Sequence, residues 1–168
     1  MSVTAIDRAP HTHWTTIAGP SLRLAPGAER HGLAVALREI VALNVRDRPL
    51  AARAYRRLDI VATVRLTDMA LPLTLDFRRG RLTVHAGASP RPADVAIVTD
   101  ARGLISFAEA PKLAGVPDLR TREGRLVVRR LLSGRLRLRG VVRHPLAMLA
   151  VALLCDAHRD DRGEWPPR

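Results

Sequence analysis

At 168 residues the chain is long enough for one domain with a real core, and not obviously for two. Its formal charge of +12 favours anionic partners such as nucleic acid, anionic lipid headgroups or acidic proteins. A single cysteine excludes an intramolecular disulfide and points to a reducing compartment, and the first residues lack the basic and apolar regions of a secretory signal, so a soluble cytoplasmic protein is expected.

Residues 1–27 carry Pro10, Pro20 and Pro26 without sustained periodicity and read as an irregular arm. His11 and His13 lack the further ligands a metal site needs. Over residues 29–44 the period becomes helical, with Leu33, Leu37, Ile40 and Val41 on one face and Arg30, Arg38 and Glu39 towards water. Pro49 then breaks the pattern, because proline disfavours helical geometry in the residue before it. A short turn or second helical piece with Ala51, Ala52, Ala54 and Tyr55 leads into a sheet.

Four strands follow. Residues 59–67 alternate, with Ile60, Ala62, Val64 and Leu66 on one face. Residues 71–77 place Leu71, Leu73, Leu75 and Phe77 together, and Arg78-Arg79-Gly80 makes a compact hairpin turn into residues 81–86. A proline-rich loop precedes residues 94–99, whose Val95, Ile97 and Val98 suit a more central strand. The pattern predicts an antiparallel meander with one buried face and one wetter face.

Thr99 or Asp100 can cap a helix to about residue 109 that turns Leu104, Ile105 and Ala108 to the core, although Gly103 weakens it. Residues 111–120 read as a surface loop. Thr121 opens a second helix with Val127, Val128, Leu131 and Leu132 as its apolar face, and Ser133-Gly134 ends it. Residues 134–140 alternate strictly, sending Leu136 and Leu138 one way and Arg135, Arg137 and Arg139 the other. Pro145 suits the first turn of a final helix over residues 145–155 that is apolar all round. It is too short to cross a bilayer, which takes about 20 residues. Residues 157–168 form a polar tail.

No catalytic constellation emerges. A Gly-rich phosphate loop, Gly-x-Ser-x-Gly, HExxH and CxxC are all missing from the sequence, and its histidines are dispersed. Cys155 ends an apolar helix, where a cysteine behaves as a small hydrophobe. No metal and no cofactor are expected. Between Arg120 and Arg143 nine arginines face one acid, Glu123. Solvation of a strand face explains them first, contact of Arg135, Arg137 and Arg139 with an anionic membrane or partner second. Nucleic acid comes third, because the arginines alternate with leucine and valine rather than with stacking aromatics.

With this order of elements, the chain resembles a sterol carrier protein 2 (SCP2) domain over residues 28–156. The resemblance rests on the meander of residues 58–86 with its Arg79-Gly80 turn, and on Ala93-Asp-Val-Ala-Ile-Val-Thr99 running into a helix. Its strongest part is Leu131-Leu-Ser-Gly-Arg-Leu-Arg-Leu-Arg-Gly140 before the apolar terminal helix. The chain departs from the family where Val141 and Val142 follow Gly140 in place of an acid or amide, and in a longer loop over residues 111–121. The resemblance implies an α+β domain, with a five-stranded, mainly antiparallel sheet covered by helices around an apolar tunnel. It implies no enzymatic activity, but a module that binds or transfers a fatty acyl chain, a sterol or an isoprenoid. The alternative is an accessory protein for an enzyme of lipid or isoprenoid-quinone metabolism.

The expected tunnel lining is Phe77, Leu104, Ile105, Phe107, Leu131, Met148, Val151 and Ala152. On the final helix, Leu146, Leu149, Ala150 and Leu153 share one face and Met148, Val151 and Cys155 another. Met148 is the better lining candidate, since an unbranched thioether adapts to varied ligands. On that reading Met148→Trp weakens uptake of a fluorescent fatty acid with little change in the thermal midpoint, while Leu149→Asp destabilises the fold.

Overall fold

The computed structural model describes residues 20–69, 72–110, 112–113 and 116–157. Most of the predicted arm and tail, including His11 and His13, lies outside the described residues. The described chain is α+β, with a mixed sheet and five helices.

The elements begin with strand β1 (Ser21–Leu24) and a short 3₁₀ turn, then helices α1 (Gly32–Asp47) and α2 (Pro49–Arg57). Arg48 between the helices is extended, and Pro49 takes the first turn of α2, where its missing N–H is not needed. Strands β2 (Asp59–Leu66), β3 (Leu73–Arg78), β4 (Arg81–Ala86) and β5 (Val95–Thr99) follow. Helix α3 (Ala101–Glu109) leads to a small ladder of β6 (Lys112–Leu113) and β7 (Val116–Pro117). Helix α4 (Arg122–Leu132), strand β8 (Arg137–Arg139) and helix α5 (Pro145–Leu154) are the last elements among the described residues.

The main sheet has six strands in the order β1-β4-β3-β2-β5-β8, and it is mixed. This corrects the expected five-stranded, mainly antiparallel sheet. Two pairings are parallel, β1 with β4 and β2 with β5. Strand β1 lies inside the stretch read as an irregular arm. It is four residues long and held by backbone pairing to a strand some 60 residues away, which no local periodicity announces. The region read as a plain loop likewise contains the β6–β7 ladder.

Registration builds the buried face row by row. Leu22, Leu82, Phe77 and Ile60 align across four strands, and Leu24, Val84, Leu75 and Ala62 align beside them. Val64, Ile97 and Leu138 continue the face to the other edge. Helices α1, α2, α3 and α5 cover this face. Fully burying each such Leu, Ile or Phe contributes about 1.5–3 kcal/mol, which is why the helices gather on this side. Tyr55 of α2 meets Phe77 edge-on at 6.4 Å between centroids, and its hydroxyl donates to the Ser21 carbonyl at 2.8 Å.

Because β4 and β5 run the same way, the chain between them must return across the sheet, and it does so over the opposite face. There Thr74 donates to the Gly87 carbonyl at 2.7 Å, and Arg91 reaches Asp76 at 3.0 Å and Asp59 at 3.2 Å. This crossover supplies Arg91 to the buried Asp76 as a charge partner beside Arg78 of the same strand. The rest of that face carries Arg23, Arg65, Arg137 and Arg139, all exposed.

Among the described residues Gly103, Gly124 and Gly140 are required by close approach, and two of them bear on the elements around the buried face. Gly140 has φ +78°, and a Cβ there would lie 2.1 Å from the Asp94 carbonyl oxygen, so this position links β8 to α5 only as glycine. Gly103, which weakens α3 on propensity, sits where a Cβ would fall 2.1 Å from Thr99 Oγ1. Its amide donates to the capping Asp100 side chain at 2.5 Å.

Candidate functional site: an apolar cavity under three helices

Between the buried sheet face and the helices lies a cavity of about 190 Å³. Val64, Leu75 and Ile97 form its floor on three adjacent strands, β2, β3 and β5. Leu33, Leu37 and Ile40, at i, i+4 and i+7, supply one wall from α1. Leu104, Ile105, Phe107 and Ala108 of α3 supply another, and Val151, Cys155 and Ala157 at the end of α5 close the third. Among the described lining residues Glu109 is the one that carries a charge. Ile105 and Glu109 are exposed, so they mark the opening.

The closed end is fixed by polar contacts rather than by packing alone. The last carbonyls of a helix lack intrahelical partners. Here the buried Asn44 amide of α1 donates to the Leu154 carbonyl at 2.9 Å and the Asp156 carbonyl at 2.8 Å. Arg48 meets the buried Asp156 carboxylate at 2.7 Å, and the Ala157 amide donates to the Ala108 carbonyl at 3.1 Å. These bonds tie α1, α3 and α5 together around the void.

Of the expected lining residues, Leu104, Ile105, Phe107 and Val151 come together around this cavity, and the other four do not. Phe77 is fully buried against Tyr55 under α2. Leu131 is half-exposed on α4, beyond the cavity wall. Met148 and Ala152 are core residues, 5 % and 3 % exposed, and neither borders the void. The faces of α5 are therefore assigned differently from the sequence reading. Met148, Val151, Ala152 and Leu154 form its buried side, while Leu146 is 80 % exposed and Leu149, Ala150 and Leu153 are half-buried. An all-apolar helix offers no polar face to orient it, so periodicity cannot choose between its sides.

The residues missed by sequence reasoning are chiefly the floor and the α1 wall, together with Ala108, Glu109, Cys155 and Ala157. Their signals were present as the inner alternation of β2, β3 and β5 and the α1 stripe. Which inward residues border a void, however, depends on the pairing register. Arg137 and Arg139 lie on the outer face of the edge strand β8, opposite Val98 and Ala96, and Arg135 precedes that strand, exposed. None of the three approaches the cavity. Among the described residues no group of three His, Cys, Asp or Glu is placed to hold a metal ion, and no helix is long and apolar enough to cross a membrane.

A mixed sheet with helices packed on one face, an apolar void beneath them and a terminal helix closing it defines an SCP2-like fold. A solved structure that shares it is the UbiJ-SCP2 ubiquinone synthesis protein, with a TM-score of 0.50 and 18% identity over 73% of this chain and 90% of that one. A crystal structure of sterol carrier protein 2 matches with a TM-score of 0.46 and 14% identity, over 73% of this chain and 95% of that one. No protein-family model matches the sequence, and no curated protein matches it significantly.

Proposed function

We propose that the protein is a non-catalytic lipid-binding or lipid-transfer module that takes the apolar end of its ligand into the cavity between α1, α3, α5 and the sheet. The observation that carries this reading is the cavity itself, about 190 Å³, whose described lining is apolar except for Glu109 at its opening. A sealed apolar cavity of about 150 Å³ stays dry and accepts a benzene-sized molecule, and the apolar walls of this one favour a hydrocarbon group over water in the same way. Pockets that enclose drug-sized ligands run to about 300–1,000 Å³. The smaller volume therefore favours a flexible fatty acyl or isoprenoid chain entering end-on over a rigid sterol held whole. The polar end of such a ligand stays in water beside Ile105 and Glu109.

The test is native mass spectrometry of gently purified protein, followed by titration with a fluorescent fatty acid and displacement by an unlabelled isoprenoid alcohol. A co-purified lipid, or saturable uptake with displacement, is the expected result. An empty protein that takes up neither probe sinks the carrier reading. The second reading, an accessory role beside an enzyme of isoprenoid-quinone metabolism, is favoured by the ubiquinone-synthesis description of the matched structure. It requires that the empty protein bind a purified enzyme of that class.

A further inference from the structure

Helix α4 wears its leucines on the outside. The sequence pattern assigns Leu131 and Leu132 to its buried face, yet Leu132 is 83 % exposed, and Leu126 and Leu131 are each 41 % exposed. The residues that do bury are Gly124 and Val127. At 100° per residue, Arg122, Arg125, Leu126, Arg129, Leu132 and Ser133 fall within about one third of the helix circumference, opposite that buried pair. All six are exposed. Glu123 projects to one side of this strip, and Arg130 on that same side is paired with Asp100 at 2.9 Å. The strip itself holds three arginines and no acid.

Its surroundings extend both characters. Arg125 donates to the Arg120 carbonyl at 2.8 Å and the Leu119 carbonyl at 3.4 Å, and among the described residues no carboxylate pairs with it. They also bring the exposed Leu119 alongside. At the other end, Leu126, Arg129, Arg130, Ser133 and Arg135 surround one shallow depression.

We propose that α4 is a docking strip for an anionic lipid bilayer, on which its arginines meet headgroup phosphates while Leu119, Leu126 and Leu132 enter the boundary between headgroups and acyl chains. A cationic helix face with apolar residues interleaved is the arrangement that holds an amphipathic helix in a membrane interface. Charge complementarity selects an anionic surface. Apolar side chains held in water on that same strip select lipid over nucleic acid. A single-stranded nucleic acid needs aromatic platforms for its bases, and Tyr55, Phe77 and Phe107, the aromatic residues among those described, are all buried. The inference is independent of what the cavity holds.

The experiment is sedimentation of the full chain with vesicles of phosphatidylcholine alone, and of phosphatidylcholine with one quarter phosphatidylglycerol, at low and physiological salt. Each arginine near an anionic leaflet strengthens binding about fivefold. Arg129→Glu, which removes one and adds a repulsion, is expected to weaken partitioning roughly tenfold. Leu132→Ser weakens it severalfold by removing the inserted group. Arg23→Glu on the exposed face of β1 makes the same change in net charge away from α4, and is expected to shift binding by less than about twofold. Circular dichroism checks that each surface variant folds.

Wild-type protein that ignores phosphatidylglycerol overturns the proposal. Equal losses from Arg129→Glu and Arg23→Glu also overturn it, since net charge alone would then account for binding. So does a protein that leaves the vesicles untouched but binds a single-stranded oligonucleotide through Arg129, which would assign the strip to nucleic acid.

Discussion

Replacing Asn44 by leucine tests how the closed end of the cavity is held. The substitution keeps a side chain of similar size and removes the donor that serves both the Leu154 and the Asp156 carbonyls. Losing a hydrogen bond to a buried acceptor costs about 1–3 kcal/mol, and two such bonds are lost here. Leucine returns roughly 1 kcal/mol through apolar burial. The net expectation is a loss of about 1–5 kcal/mol. For a chain of this size, 1 kcal/mol moves the thermal midpoint by about 2–4 °C, so the melting temperature should fall by roughly 2–20 °C. Urea unfolding and thermal melts of wild type, Asn44→Leu and Asn44→Asp give the measurement. Asn44→Asp should be the worse of the two, because it turns a carboxylate towards two carbonyl oxygens. The reasoning is refuted if Asn44→Leu melts within about 2 °C of wild type, or if Asn44→Asp is tolerated.

Three further expectations follow from the same geometry. Met148→Trp should overpack the core and cost about 1–3 kcal/mol, whereas Leu146→Asp at the exposed start of α5 should leave the urea midpoint nearly unchanged. Burial pushes the Tyr55 phenol up to about 12. The neutral phenol's contribution to stability is therefore complete below the ordinary tyrosine value near 10 and is lost as pH rises through about 12. Tyr55 is the sole tyrosine, so the tyrosinate absorbance of the folded protein should remain absent through pH 10 and appear only near pH 12 or on unfolding. Asp100 is held below the ordinary aspartate range, first by the Gly103 amide and then by the charge of Arg130. Its contribution is complete above pH about 4 and fades as pH falls through its depressed value. The urea midpoints of wild type and Asp100→Asn should thus differ at neutral pH and draw together as the pH falls below the ordinary aspartate range.

The elements with strong local patterning were legible in the sequence. The α1 stripe, the β2–β4 meander with its Arg79-Gly80 turn, and the Asp100 and Thr121 caps all depend on residues within a few positions of one another. Non-local decisions were not legible. The pairing of β1 with β4 and of β5 with β2 rests on backbone partners far apart in the chain, and both pairings are parallel. The orientation of α5 was open for a different reason, since Met148 and Leu146 are chemically alike to a solvent-facing pattern although one is buried and the other exposed. Gly103 misled in the opposite direction. Its low helix propensity argued against a helix whose first turn needs the missing Cβ, because Thr99 fills that space.

The central claim is that the cavity admits an apolar chain, and Ala108→Trp addresses it most directly. Ala108 is half-buried on the cavity wall, so a larger side chain there can turn into the void instead of into packed core. The substitution keeps the backbone carbonyl that accepts from the Ala157 amide. Titration of wild type and Ala108→Trp with the same fluorescent fatty acid, beside thermal melts of both, is the measurement. The account expects saturable uptake by wild type, at least a tenfold loss of affinity in the variant, roughly the 1.4 kcal/mol that a tenfold change represents, and a melting temperature no lower than wild type. Equal affinity in two well-folded proteins would contradict it, because the ligand would then be bound somewhere other than between α1, α3, α5 and the sheet.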